Sequence, residues 1–174
     1  MGIWQIDSQS LNVSSFKQIP EGFIRVKPSE LYESKEWKIF TYPSLRDKIF
    51  NLRKEKLPNE TGGIFIGLYD FEKKSIYIVD TIPSPSDSVE NKKLYIRGKN
   101  QLIWQIEQVS KKISGLLEYV GEWHSHPNNC EVEASNEDKA LFDFLSRQMK
   151  NNSLPTLMAI IGERQKINWL FKGG

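Results

Sequence analysis

The chain contains two histidines, His124 and His126, set one residue apart in the stretch Gly121-Glu122-Trp123-His124-Ser125-His126-Pro127. Tyr119-Val120 leads into it as an apolar strand pattern, and in a strand residues i and i+2 point to one face. Both imidazoles therefore project together, with Glu122 on their side and Trp123 and Ser125 on the other, where core packing is the default for Trp123. Pro127 lacks the donor needed to continue a ladder and stops the strand. Asp138 follows twelve residues after His126, at the start of a helical pattern. Two neutral imidazoles and one carboxylate make a three-ligand set for zinc with one position open, and the same donor types also suit manganese or iron.

Around this strand the chain reads as a mixed α/β (α+β mixed) unit, a mixed sheet flanked by helices. Trp37 to Thr41 alternates as a strand, and Leu45, Ile49 and Leu52 recur at helical spacing behind Ser44 as N-cap. Ile64 to Tyr69 and Ile76 to Val79, joined at Glu72-Lys73-Lys74, predict an antiparallel hairpin. Pro83 to Glu90 has loop composition, and Leu94 to Arg97 is a short apolar run with one cation. Leu102, Ile106, Val109 and Ile113 predict a helix stopped by Gly115, and Ala140, Leu141, Phe144, Leu145 and Met149 another. Leu157 to Ile161 suits a buried strand and Ile167 to Phe171 a final one. Upstream, Ile19 to Lys27 suits a strand, and Pro28-Ser29-Glu30 a turn or helix start.

The 174 residues suffice for one domain with a sizeable core, and 39% of them are apolar. A formal net charge of +2 does not call for a nucleic-acid partner. The single cysteine, Cys130, excludes an internal disulfide, and a reducing cytoplasm is expected. The first residues lack the pattern of a signal peptide, and no run approaches the ~18 apolar residues of a membrane span, so no membrane partner is expected.

His-Ser-His-Pro, seven further residues and then Ser135-x-x-Asp138 resemble the JAB/MPN metalloprotease motif, also called JAMM. That family carries an upstream glutamate before an apolar strand, which Asn59-Glu60-Thr61-Gly62-Gly63-Ile64-Phe65-Ile66-Gly67 matches. The resemblance runs from about Trp37 to Phe171. It implies a JAB/MPN domain over residues 36–174, cytidine-deaminase-like in fold, behind an extension of residues 1–35. It also implies one Zn²⁺ held by His124, His126 and Asp138, Glu60 as general base and then general acid, and Ser135 as donor to the oxyanion. The Gly-Glu-Trp-His-Ser-His-Pro form is most similar to a bacterial subgroup found in antiphage operons of the CBASS type, beside ubiquitin-like conjugation enzymes. The implied activity is hydrolysis of the amide or isopeptide bond after a conjugated C-terminal tail or ubiquitin-like modifier on a protein substrate. The alternatives are a metal-free MPN scaffold, or a hydrolase of sulfur-carrier conjugates or cell-wall peptides. A substrate tail is expected beside the histidine strand, flanked by the Pro83–Glu90 and Pro127–Ala134 loops.

Each residue also has a plainer reading. Ser135 and Asp138 suit a capping box at a helix start, which would hold Asp138 rigidly near the histidines. Glu60 suits an exposed loop acid. Glu122 suits either a partner that orients a histidine or one that pairs with a base across the sheet, and Arg97 suits a surface salt bridge. Cys130 lies in the seven-residue loop, where a thiolate ligand would close the site. Lys172-Gly173-Gly174 ends in two glycines without a ubiquitin-like sequence before them.

Overall fold

The computed structural model describes residues 29–33, 37–111 and 116–173. The expected strand from Ile19 to Lys27 and the helix stop at Gly115 lie outside them. Seven strands form one mixed sheet in the order β1-β2-β4-β3-β7-β8-β9: β1 (Ser29–Glu33), β2 (Lys38–Thr41), β4 (Ser75–Pro83), β3 (Gly62–Asp70), β7 (Glu118–Ser125), β8 (Thr156–Ile161) and β9 (Ile167–Lys172). The pairs β2/β4 and β7/β8 are parallel and the others antiparallel. A separate two-stranded hairpin joins β5 (Val89–Asn91) to β6 (Leu94–Ile96). The helices are α1 (Pro43–Lys56), α2 (Leu102–Lys111) and α3 (Asn136–Lys150). The mixed sheet flanked by helices is the architecture expected, and among the described residues no helix is long and apolar enough to cross a membrane.

The sheet is covered on both faces, which explains the unbroken apolar run of β8. Leu157, Ala159 and Ile161 join Phe65, Val120 and Trp123 in a core closed by Leu45 and Ile49 of α1. On the opposite face, Ile64, Ile66 and Ile82 pack under Leu102 of α2. Cross-strand register fixes which face carries the histidines. Glu122 pairs with Ile64 and Met158, and His124 with Gly62 and Ile160, so both belong to the face of α2. Trp123 points the other way, as its position in the strand requires, and donates its indole N–H to Thr81 Oγ1 at 2.7 Å. Val120 is the extra residue of a bulge between the Phe65–Gly121 and Ile66–Tyr119 pairs. The bulge turns Tyr119 to the side of Glu122, three residues on, and its hydroxyl donates to Glu122 Oε1 at 3.2 Å.

Three expectations are corrected. Ser44 is not the cap of α1: Tyr42 is, with no side chain capping the helix, because Pro43 takes the first helical position with its φ already set. Ser29 and Glu30 belong to strand β1, where the backbone pairs with β2, and do not form a turn or helix start. The segment from Pro83 to Glu90 is not one loop. Pro83 ends β4, and Val89 and Glu90 pair with Ile96 and Tyr95 in the β5–β6 hairpin.

Candidate functional site

His124 is buried within β7, and His126 follows one residue past the strand's end and is half-buried. Asp138 reaches them from the first turn of α3, so the strand-to-helix connection folds back as the spacing requires. His124 Nε2 lies 2.9 Å from Asp138 Oδ1, and His126 Nε2 3.4 Å from Asp138 Oδ2. One ligand atom from each of the three residues falls within 4.8 Å of the others. His126 Nδ1–H donates to the Glu131 carbonyl at 2.7 Å, which leaves the Nε2 lone pair of the neutral ring aimed at the cluster. His124 is only 5% exposed, and its Nε2 makes no hydrogen bond, the contact with Asp138 being close but misaligned. A buried nitrogen without a hydrogen bond is costly in a protein interior and is what a metal ligand requires. The donor set, two imidazoles and a carboxylate, fits zinc.

The capping box and the cluster coexist. Asp138 Oδ2 accepts from the Ser135 N–H and from its hydroxyl, both at 2.8 Å, while the Asp138 N–H donates to Ser135 Oγ at 3.1 Å. Oδ1 remains turned toward His124. Burial alone would raise the Asp138 carboxyl, but the imidazoles of His124 and His126 and the Ser135 hydroxyl together hold it well below the usual carboxylate range.

Glu60 enters the same cleft from the loop between α1 and β3. Gly62 stands opposite His124, the Ser125 N–H donates to the Thr61 carbonyl at 2.7 Å, and the Thr61 N–H to Ser125 Oγ at 3.1 Å. One more residue along this register brings Glu60 alongside His126. Burial raises its carboxyl above the ordinary value, with the imidazoles of His126 and His124 opposing and Asp138 reinforcing. The loop after β7 is held from the other face of the sheet. Arg53, in the last turn of α1, donates to the His126 carbonyl at 3.1 Å and to Asn128 Oδ1 at 2.7 Å.

The cleft has a volume of about 630 Å³. Its walls are β6 on one side, with Leu94 and Ile96, and α3 on the other, with Leu141 and Phe144, so the hairpin borders it where a loop was expected. Glu60, His124, His126, Ser135 and Asp138 all line it. Cys130 also lines it but is exposed and stands outside the three-residue cluster. Glu122 pairs with a base and does not orient a histidine: Arg97 donates to both its oxygens, at 3.2 and 3.0 Å. The pair is not a surface one, since the two side chains are 25% and 8% exposed. Sequence reasoning passed over Thr61, Glu90, Tyr95 and Arg53. The Tyr95 ring stacks on His124 with centroids 6.4 Å apart, and Glu90 accepts a hydrogen bond from Thr61. For Arg53 a signal existed, a charged residue continuing the apolar i, i+4 row of Leu45 and Ile49, and it is only 6% exposed.

Comparison with known proteins gives this arrangement a family. Among curated proteins, the chain is 34% identical over 104 residues to a CD-NTase/cGAS isopeptidase of Enterobacter hormaechei subsp. hoffmannii (strain UCI 50), a match covering 60% of this chain and 56% of that protein. It is 25% identical over 115 residues to a probable metalloprotease of Sinorhizobium fredii (strain NBRC 101917 / NGR234), covering 64% of this chain and 66% of that one. The match thus spans less than two thirds of the length of either relative. The solution structure of a Desulfitobacterium hafniense protein shares the fold, with a TM-score of 0.50 at 20% identity over 76% of this chain and 82% of that one. A family model for prokaryotic homologues of the JAB domain matches residues 43–171, from the first turn of α1 into the last strand, and the chain accordingly belongs to the prokaryotic JAB family.

Proposed function

We propose that this chain is a zinc-dependent peptidase of the JAMM type. In this reading it hydrolyses the amide or isopeptide bond that follows the C-terminal tail of a ubiquitin-like or target protein, and so reverses conjugation in bacterial antiphage defence. The observation that carries the reading is the meeting of His124, His126 and Asp138 around a buried His124 Nε2 that makes no hydrogen bond, in a cleft shared with Glu60. The likeness to an isopeptidase and a probable metalloprotease supports the reaction class.

His124, His126 and Asp138 hold the ion, with Glu131 fixing one ring and Ser135 the carboxylate. Zinc bound there supplies a Lewis acid that polarises the scissile carbonyl and acidifies water. Glu60, its carboxyl raised by burial, accepts a proton from the attacking water as the C–O bond forms, and passes it to the leaving amine as the tetrahedral intermediate collapses and the C–N bond breaks. The Ser135 hydroxyl now donates to Asp138 Oδ2. Turned outward, it would donate instead to the oxyanion of the tetrahedral intermediate. The cleft between β6 and α3 receives the extended tail, with Leu94, Ile96, Leu141 and Phe144 as its apolar walls.

The test pairs metal analysis with turnover. The assay substrates are fusions in which a fluorescent protein follows the C-terminal tails of proteins encoded beside this gene. The wild type is expected to carry about one zinc per chain and to cleave one tail in preference to an unrelated unfolded chain. His126→Ala is expected to lose the metal. Glu60→Gln is expected to keep metal and fold while turnover falls about 10²–10⁴-fold. Equal zinc in wild type and His126→Ala, or full turnover by Glu60→Gln, would overturn the assignment.

A further inference from the structure

The loop that presents Glu60 is gripped by the β5–β6 hairpin at three consecutive residues. The Glu60 N–H donates to the Asn91 carbonyl at 2.8 Å. Thr61 Oγ1 donates to Glu90 Oε1 at 2.6 Å. At Gly62 the ring of Tyr95 takes the space a Cβ would fill. The second oxygen of Glu90 accepts from Lys56 Nζ, in the last turn of α1, at 2.7 Å. Glu90 thereby ties the helix before the loop to the loop's last residue, just ahead of β3. Thr61 is held on both sides, its main chain by Ser125 of the histidine strand and its side chain by the hairpin.

This arrangement answers two problems of the fold. A two-stranded hairpin with three-residue strands is marginal alone and needs anchors. It has them in Arg97 on Glu122 and in Asp87, whose carboxylate accepts from the N–H groups of Lys99 and Asn100 at 2.9 Å each. The segment from Leu57 to Thr61 lies between α1 and β3 with no ladder of its own, yet it must hold a base in register with the histidines. A carboxylate at residue 90 accepts at once from an ammonium and a hydroxyl on two different elements, a charge-assisted pair of bonds stronger than neutral ones.

We propose that Glu90 is a positioning residue: through Thr61 and Lys56 it clamps the loop between α1 and β3 and fixes the Glu60 carboxylate against the His124–His126 pair. The proposal rests on the reading of Glu60 as general base. A displacement of about 1 Å in a reacting group costs on the order of 10²-fold in rate, so loosening the clamp should be felt in turnover before it is felt in binding.

The test compares Glu90→Ala, Thr61→Val and Thr61→Ser with the wild type. Amide hydrogen exchange, metal content and cleavage of the tail fusion are measured for each. In Glu90→Ala and Thr61→Val the Glu60 amide is expected to exchange about tenfold faster or more while β8 amides are unchanged. Metal content should hold, kcat should fall roughly ten- to a hundredfold with KM within about twofold, and Thr61→Ser should restore both rate and protection. Adding Glu90→Ala to Glu60→Gln should cost nothing further, because both act through one carboxylate. Unchanged exchange at Glu60, a fully additive double variant, or a rate loss that tracks metal loss or unfolding would overturn the clamp. If Glu60→Gln stays active, the base assignment fails, and the exchange data alone decide whether Glu90 holds the loop. If Glu60→Gln is inactive and Glu90→Ala is not, only the clamp fails.

Discussion

Gly62 shows how little room the candidate site leaves around its ligands. It stands opposite His124 on the same face, and a Cβ there would run into the Trp123 carbonyl and the Tyr95 ring. A ring can swing away, but a carbonyl inside the β3–β7 ladder cannot without breaking the pairing that aligns Glu60 with His126. Gly62→Ala is therefore expected to cost about 1–3 kcal/mol, the usual range for overpacking. Urea denaturation would read the loss, and a lower zinc affinity would accompany it as Tyr95 leaves His124. Unchanged stability would mean the two strands are looser than their register implies. At this scale the sequence was most legible where chemistry restricts residue type. Ligand atoms of His124, His126 and Asp138 lie within 4.8 Å of one another, and Glu60, singled out by the JAMM resemblance alone, lines the same cleft. Ser135 and Asp138 form the capping box of the plainer reading, and Asp138 Oδ1 is still turned toward His124. Glu90 and Thr61 stayed invisible because 29 residues separate them and nothing local encodes their meeting.

The β5–β6 hairpin was the element least legible beforehand, and the reason is length. Strands of three residues with mostly exposed positions give no alternation to read, and Pro83-Ser84-Pro85-Ser86 advertises a loop. The helices were legible because each buries one face at a fixed period, as α3 does with Leu145 and Met149, and the central strands because they are apolar runs buried on both faces. The anchors of the hairpin carry a pH dependence that can be measured. Burial alone would raise the Glu90 carboxyl, but the Lys56 ammonium and the Thr61 hydroxyl outweigh it and hold it below its ordinary value. Tyr95, on the paired strand, has its phenol pushed up to about 12 by burial and stays neutral throughout the acid range. With the folded pKa below the unfolded value of about 4.3, the unfolded chain binds more protons between the two, so stability falls as pH falls. The contribution of Glu90 is fully present above the unfolded value and is lost as pH drops through the folded one. Melting curves of wild type and Glu90→Gln should differ by a constant amount from about pH 8 to 6 and converge as the pH falls past the unfolded value and through the lower folded one. A gap that stays constant into acid would show that the charge of Glu90 contributes nothing and that only its shape matters.

The molecule as a whole separates what holds the fold from the residues that could hold an ion. The core of Phe65, Val120, Trp123, Leu157 and Ala159 lies on the face opposite the cluster, closed by α1, and α2 covers a second core on the near face. The three candidate ligands come from β7, the residue just past its end, and α3. Asp138 is already fixed by the Ser135 N–H and hydroxyl, and α3 is seated on the sheet through Leu145 and Met149. None of this requires a cation. Chelation is therefore expected to leave the circular dichroism spectrum at 25 °C unchanged while lowering the melting temperature. A ligand present at a thousandfold its Kd stabilises the folded state by about 4 kcal/mol. In a chain of this size each kcal/mol is worth about 2–4 °C, so the drop should fall near 8–16 °C, and added zinc should reverse it. His126→Ala should melt close to the chelated wild type and respond little to either treatment, because it lacks one of the three donors. Loss of secondary structure on chelation would make the ion structural and move His124 and His126 out of the catalytic reading. A wild type indifferent to both chelator and zinc would mean that the cluster holds no ion, and that Asp138 is there to cap α3 and to pair with the buried His124 and the half-buried His126.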